Sequence, residues 1–293
     1  MRDTILVPAD RLACAQVWGG NDVADLTVEV PGLLGWVHSR PLYPAATGGD
    51  VYYLAVCSKG LLSRIVLADV AGHGQVVSTT ALTLRNLLRK HMNAADQSVL
   101  MQEMNEAFGR GNDPTGVQYA TAAVLGYFCT TGELIFTNAG HPPPLWYHAM
   151  EKAWHWLRDE TPCREARVES VPLGLISGTG YLQSAVRLRP GDFLVLYTDG
   201  ITESTNEAGL ELGYHGILGL AESLLLETGT SSSTVGQALL SAVRDFRGRS
   251  PVLDDESMLV LQQTMDNQVS SASQSIESIE SEPRTYQQDR AQI

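Results

Sequence analysis

Aspartates stand at the ends of several strand-like runs, and their spacing carries the chemistry. Asp50 closes Gly48-Gly49-Asp50 and opens the apolar stretch Val51 to Cys57. Asp69 ends the next apolar stretch, Leu61 to Ala68. Asp199 follows the run Phe193 to Thr198, and Asp254 and Asp255 precede the last run, Ser257 to Gln262. Carboxylates gathered at the end of a core repel one another and are costly to desolvate, so they either protonate or hold a cation. An all-oxygen ligand set suits Mg²⁺ or Mn²⁺, and the lack of nearby Cys or His pairs disfavours zinc. Two such ions sharing a water would lower its pKa toward neutrality and clamp the oxygens of a phosphoryl group. The competing reading is a set of separate turn aspartates that cap strands and loops.

The elements around these acids decide whether they meet. Two apolar runs separated by Ser58-Lys59-Gly60 predict a β-hairpin. About that turn residue 57 faces 61 and residue 50 faces 68, which puts Asp50 and Asp69 at one end of one hairpin. If the strands 193–198 and 257–262 are also antiparallel neighbours, Asp199 and Asp254 meet in the same way. Val77, Ala81, Leu84 and Leu88 recur at helical spacing and predict a helix through Met92. Further helices are expected over 98–108, 214–227 and 234–246. Strands are expected over 119–127, 134–137, 144–147 and 182–188. Strand pairs joined by tight turns, with helices between the groups, predict an α+β architecture of antiparallel sheets covered by helices. The pattern is not a βαβ series, and no G-x-x-x-x-G-K-[ST] occurs.

The chain has 293 residues, 44% of them hydrophobic, enough for a sizeable core. A net charge of −13 argues against a nucleic-acid partner and against a basic membrane-surface helix. No apolar run reaches transmembrane length and no secretory signal is evident, so a cytoplasmic location is expected. The four cysteines, Cys14, Cys57, Cys129 and Cys163, are scattered and are read as reduced thiols, with Cys57 and Cys129 buried in strands. Trp146, Trp154 and Trp156 are read as packing and a hairpin face. Residues 264–293 are rich in Ser, Gln and Glu and are expected to form a disordered tail.

One family shares these motifs in this order: Gly48-Gly49-Asp50, Ala68-Asp69-Val70-Ala71-Gly72-His73-Gly74, Asn138-Ala139-Gly140-His141-Pro142-Pro143, Tyr197-Thr198-Asp199-Gly200-Ile201-Thr202-Glu203 and Asp254-Asp255. The chain resembles the bacterial PPM-type, protein phosphatase 2C-like serine/threonine phosphatases of the sporulation stage II protein E and sigma-factor-regulation branch. The resemblance covers residues 33–263, leaving 1–32 as an N-terminal lead-in. It implies a four-layer α/β/β/α sandwich, two antiparallel sheets flanked by helices, with two divalent cations, Mn²⁺ or Mg²⁺, at one edge. Asp50 and Asp69 would be shared metal ligands, helped by the Val70 backbone carbonyl. Asp199 and Asp254 would complete the second metal site, and Asp255 would support the ligands from behind.

Departures from relatives set the remaining roles. The position of a proposed general acid is Ala71 here, and His73 is read as fixing a loop near a helix N-terminus. Histidine replaces the aspartate linked elsewhere to a third metal, so Asn138 and His141 are read as organising their loop. Arg40 is the candidate for the phosphate-binding arginine of eukaryotic-type members. The implied reaction is hydrolysis of phosphoserine or phosphothreonine on a regulatory protein, an anti-anti-sigma-like domain, by direct attack of a metal-bridging hydroxide. Without a long sensor segment, regulation would come from an activating partner protein, or activity would be constitutive. The alternatives are a non-catalytic partner-switching module on the same fold and a hydrolase of small phosphate esters.

Overall fold

The computed structural model describes residues 10–12, 16–72, 75–91, 94, 96–109, 119–157, 171–227 and 229–264. In chain order the elements are β1 (Asp10–Arg11), β2 (Val17–Asp22), β3 (Ala24–Val30), β4 (Leu33–Arg40), β5 (Thr47–Cys57), β6 (Leu62–Val70), α1 (Gln75–His91), α2 (Gln97–Gly109), β7 (Ala120–Phe128) and β8 (Glu133–Ala139). They continue with β9 (Leu145–His148), β10 (Ala153–Trp156), β11 (Ser184–Arg187), β12 (Phe193–Tyr197), α3 (Asp199–Thr202), α4 (Gly213–Glu222), α5 (Ser232–Arg247) and β13 (Glu256–Gln263).

Alternation along the strands builds two sheets with different partners on their two faces. One sheet runs β11-β8-β7-β6-β5-β2, and the other runs β1-β3-β4-β13-β12-β9-β10. Every pairing is antiparallel except β1 with β3. On β5, Tyr52, Leu54 and Val56 face the opposite sheet, while Val51, Tyr53 and Ala55 face α1 and α2. The predicted stripe Val77, Ala81, Leu84 and Leu88 is buried against that outer face. On the other sheet, Val195, Tyr197, Met258 and Val260 pack outward against Val235, Leu239 and Val243 of α5. Three cores therefore separate four layers, α/β/β/α, as the family resemblance implies.

Local chemistry explains the helix ends. Asp96 Oδ1 accepts the backbone N–H groups of Ser98 and Val99 at the start of α2. Ser231 Oγ accepts from the Thr234 N–H and caps α5, which Gly248 ends with φ +60°. The helix expected to reach residue 227 stops at Glu222, where the Ser223 hydroxyl turns back to the Leu220 carbonyl.

The expected start of the domain at residue 33 is too late. Within 1–32, β2 pairs with β5 in one sheet and β3 pairs with β4 in the other. The alternation of Ala24, Leu26, Val28 and Val30 with Asp25, Thr27 and Glu29 already marked a half-buried strand. Cys57 is buried and Cys129 partly so, and neither forms a disulfide among the described residues. Cys14, Cys163 and the tail beyond residue 264 lie outside the described residues. No helix among the described residues is long and apolar enough to cross a membrane.

Candidate metal centre

The β5–β6 hairpin brings the first two acids together more directly than its sequence predicts. Asp50 pairs with Asp69 and Cys57 with Leu62, one residue away from the expected register. The connection consumes one residue more: a 3-10 turn over Ser58–Gly60 and then Leu61, with Lys59 at φ +57° and Gly60 at φ +89°. Directly opposed residues share a face, so both carboxylates point the same way. Gly49 lets the Val70 carbonyl approach: a Cβ there would lie 2.9 Å from that oxygen and 3.3 Å from Asp69 Oδ1.

The second pair comes from the other sheet. β12 and β13 are antiparallel, with Tyr197 opposite Met258 and the Thr198 N–H bonded to the Ser257 carbonyl. Asp199 therefore leaves β12 at the end where Asp254 and Asp255 enter β13. Gly200 packs against this entry, since a Cβ there would lie 2.0 Å from the Asp255 carbonyl oxygen.

Side chains then lock the two sheets to each other. Asp255 Oδ1 accepts from the Leu42 N–H, and Oδ2 accepts from the Gly49 N–H, each at 2.6 Å. Oδ2 of Asp255 thus holds the β5 backbone that carries Asp50, and Oδ1 holds the connection between β4 and β5. Asp254 Oδ1 accepts the Asp255 N–H at 2.8 Å. From β2, the buried Asn21 amide donates to the Gly48 carbonyl at 2.9 Å and to Ser78 on α1. The Thr198 hydroxyl donates to Asp50 Oδ2 at 2.8 Å.

Burial and mutual repulsion set the electrostatics of these acids. Burial, then the Asp69 charge, raises Asp50 well above the usual carboxylate range; hydroxyls of Ser257 and Thr198 oppose this. Burial, then Asp199, Asp254, Asp255 and Glu203, pushes Asp69 up to about 8. Every charge named on Asp69 is negative. Burial also raises Asp199, opposed by the Gly200 backbone N–H. Mutually repelling oxygen donors at a partly buried edge are what a hard divalent cation would neutralise. Asp50, Asp69, Asp199, Asp254 and the Val70 carbonyl fit that group by chemistry. Among the described residues no three His, Cys, Asp or Glu side chains are grouped as a ready-made ligand set.

The other candidates fall around this edge. Asn138 and His141 close their loop reciprocally: Asn138 Nδ2 donates to the His141 carbonyl, and the His141 N–H donates to Asn138 Oδ1, both at 2.8 Å. His141 Nδ1 lies 2.8 Å from the Thr121 hydroxyl, and Thr121 is opposite Asp69 on β7. Burial pushes the His141 imidazole down to about 3, against a Tyr197 backbone hydrogen bond that raises it, so the ring is neutral near pH 7. Arg40 ends β4, exposed, opposite Glu256 and at the acidic end of its sheet. His73 lies outside the described residues. Thr198, Ser257 and Asn21 were absent from the sequence expectations. Thr198 stands beside Asp199 in the chain, but the carboxylate it serves is 148 residues away.

Known proteins share parts of this sequence and this fold. The chain is 26% identical over 144 residues to the phosphoserine phosphatase RsbP of Bacillus subtilis (strain 168), covering 48% of this chain and 33% of that one. It therefore spans a third of that relative's length. The fold matches the RsbU and RsbW domains of Rv1364c from Mycobacterium tuberculosis, with a TM-score of 0.64, 22% identity, and coverage of 88% of this chain and 70% of that one. It also matches RsbX in complex with magnesium, with a TM-score of 0.58, 13% identity, and coverage of 82% and 100%. Residues 62–264, more than half the chain, match the family described as Stage II sporulation protein E (SpoIIE), and this protein belongs to that family.

Proposed function

We propose that the protein is a metal-dependent protein serine/threonine phosphatase. The observation that carries this is the opposed pair of buried Asp50 and half-buried Asp69, joined at one edge by Asp199 and Asp254 from the facing sheet. Two divalent cations bound there, Mg²⁺ or Mn²⁺, would stabilise charge on the phosphoryl oxygens and supply an activated water. Asp50 and Asp69, with the Val70 carbonyl, would hold the shared position. Asp199 and Asp254 would complete the other.

The chain's own residues set the rest. Asp255 fixes the backbone of Gly49 and Asp50. The neutral His141 steadies the strand beside Asp69 and carries no charge to the phosphate. Arg40, exposed at the end of β4 opposite Glu256, would be the cation that meets a phosphate at this end. The name of RsbP supports phosphoserine as the substrate group, and the family resemblance supports a small anti-anti-sigma-like domain as its carrier. An activating partner protein and a cytoplasmic location belong to the same proposal.

The test is hydrolysis of phosphoserine and phosphothreonine peptides and of an aryl phosphate with Mn²⁺, Mg²⁺ or chelator. Asp199→Ala is measured beside the wild type. Metal-dependent turnover that falls at least about a thousandfold in the variant, with its fold retained, is expected, because the Lewis-acid contribution is several kcal/mol. Metal binding without turnover would point to an enzyme that waits for its activating partner. Neither binding nor turnover would overturn the proposal.

A further inference from the structure

Thr198 is fully buried, and its hydroxyl ignores the neighbouring Asp199. Its oxygen accepts the Ser257 backbone N–H at 3.1 Å. A backbone N–H can only donate, so the single hydroxyl proton is left for an acceptor. The two acceptors in reach are Asp50 Oδ2 at 2.8 Å and the Ser257 carbonyl at 3.5 Å, and the shorter contact to a carboxylate is the stronger. The Ser257 hydroxyl, also beside Asp50, donates its proton to Ser39 Oγ at 3.1 Å. Thr198 and Ser257 belong to the β12–β13 end of one sheet, whereas Asp50 lies on β5 of the other.

We propose that Thr198 is a positioning residue that selects the metal-facing oxygen of Asp50. By holding Oδ2 from the facing sheet, it leaves Oδ1 as the oxygen offered to a cation. The acids of one sheet then depend on the alignment of the other, so neither pair forms a competent site alone. This rests on the metal-centre reading of the same edge. Outer partners of this kind orient ligands and tune affinity, and their loss costs about 10- to 100-fold in metal binding.

The experiment is calorimetric titration of the full-length, metal-stripped protein with Mn²⁺, together with melting in chelator. Thr198→Val keeps the side-chain shape and loses the proton, while Thr198→Ser keeps the proton. Val195→Ala, a buried change on the outer face of the same strand, controls for lost stability. Thr198→Val is expected to weaken Mn²⁺ binding about 10- to 100-fold, while Thr198→Ser stays within about threefold of wild type. Val195→Ala is expected to melt earlier and to bind Mn²⁺ normally. If Thr198→Val folds poorly, Thr198→Cys, with its weak S–H donor, should bind Mn²⁺ at an intermediate strength. Wild-type affinity in Thr198→Val, or equal loss in Thr198→Ser, would overturn the positioning role while leaving the metal centre intact. No Mn²⁺ uptake by the wild type would overturn both.

Discussion

Asp50 faces Asp69 directly across the β5–β6 pair. Two carboxylates in that relation, one buried and one half-buried, cannot comfortably ionise together. That constraint makes the edge of the sandwich sensitive to protons and to cations, and the neighbouring glycines and amides sensitive to small changes.

The metal-free protein is expected to lose stability as pH rises from about 4 to about 8. Asp50 and Asp69 are raised in the folded chain, Asp69 to about 8, whereas an unfolded aspartate titrates near 3.9. Between those values the folded chain holds protons that the unfolded chain has released, so raising the pH favours unfolding. Mn²⁺ or Mg²⁺ replaces those protons, so the rise in melting temperature on adding metal should be larger at pH 8 than at pH 5. Scanning calorimetry with chelator and with metal checks this. A metal-induced rise that is the same at both pH values would refute it.

Gly200→Ala is expected to damage the site through the backbone. The new Cβ would sit 2.0 Å from the Asp255 carbonyl oxygen, so the 254–255 segment must move and take Asp254 with it. A stability loss of about 1–3 kcal/mol and a loss of metal affinity are expected. Gly219→Ala, on α4 with nothing within 4 Å of the new methyl, should instead be neutral or stabilise by up to about 1 kcal/mol. Urea unfolding and Mn²⁺ titration of both variants distinguish a local clash from a general intolerance of alanine.

Asn21→Ala should destabilise the protein by about 1–3 kcal/mol, because the buried carbonyl of Gly48 and the Ser78 pair lose their donor. Removing residues 1–32 should do far more, since it strips β2 from one sheet and β3 from the other. Cooperative thermal unfolding of a chain beginning at residue 33, close to that of the full chain, would contradict this.

Much of the fold was legible along the chain. The four long helices follow from apolar spacing and from caps such as Asp96 and Ser231. The strands flanking Asp50, Asp69, Asp199 and Asp254 follow from apolar runs bounded by Gly, Pro and Asp. The strand β3 was equally legible by its alternation. The family motifs begin later in the chain and do not include it. The hairpin register was not legible, since three residues or four can close the same turn, and only the positive φ values of Lys59 and Gly60 show which closure occurs.

The amino-acid sequence by itself determined which residues carry charge at strand ends, which helices present an apolar stripe, and the motif order that resembles one family. These are local properties, set by side-chain chemistry and by periods of two and 3.6 residues. Only the tertiary structure decided that Asp50 and Asp69 are opposed, that Asp255 spends both oxygens on the Leu42 and Gly49 amides, and that the Thr198 proton belongs to Asp50 rather than to its neighbour. Those relations join residues up to 213 positions apart. They arise when two separately patterned sheets stack over a shared core, and no local period encodes how the edges of two sheets align.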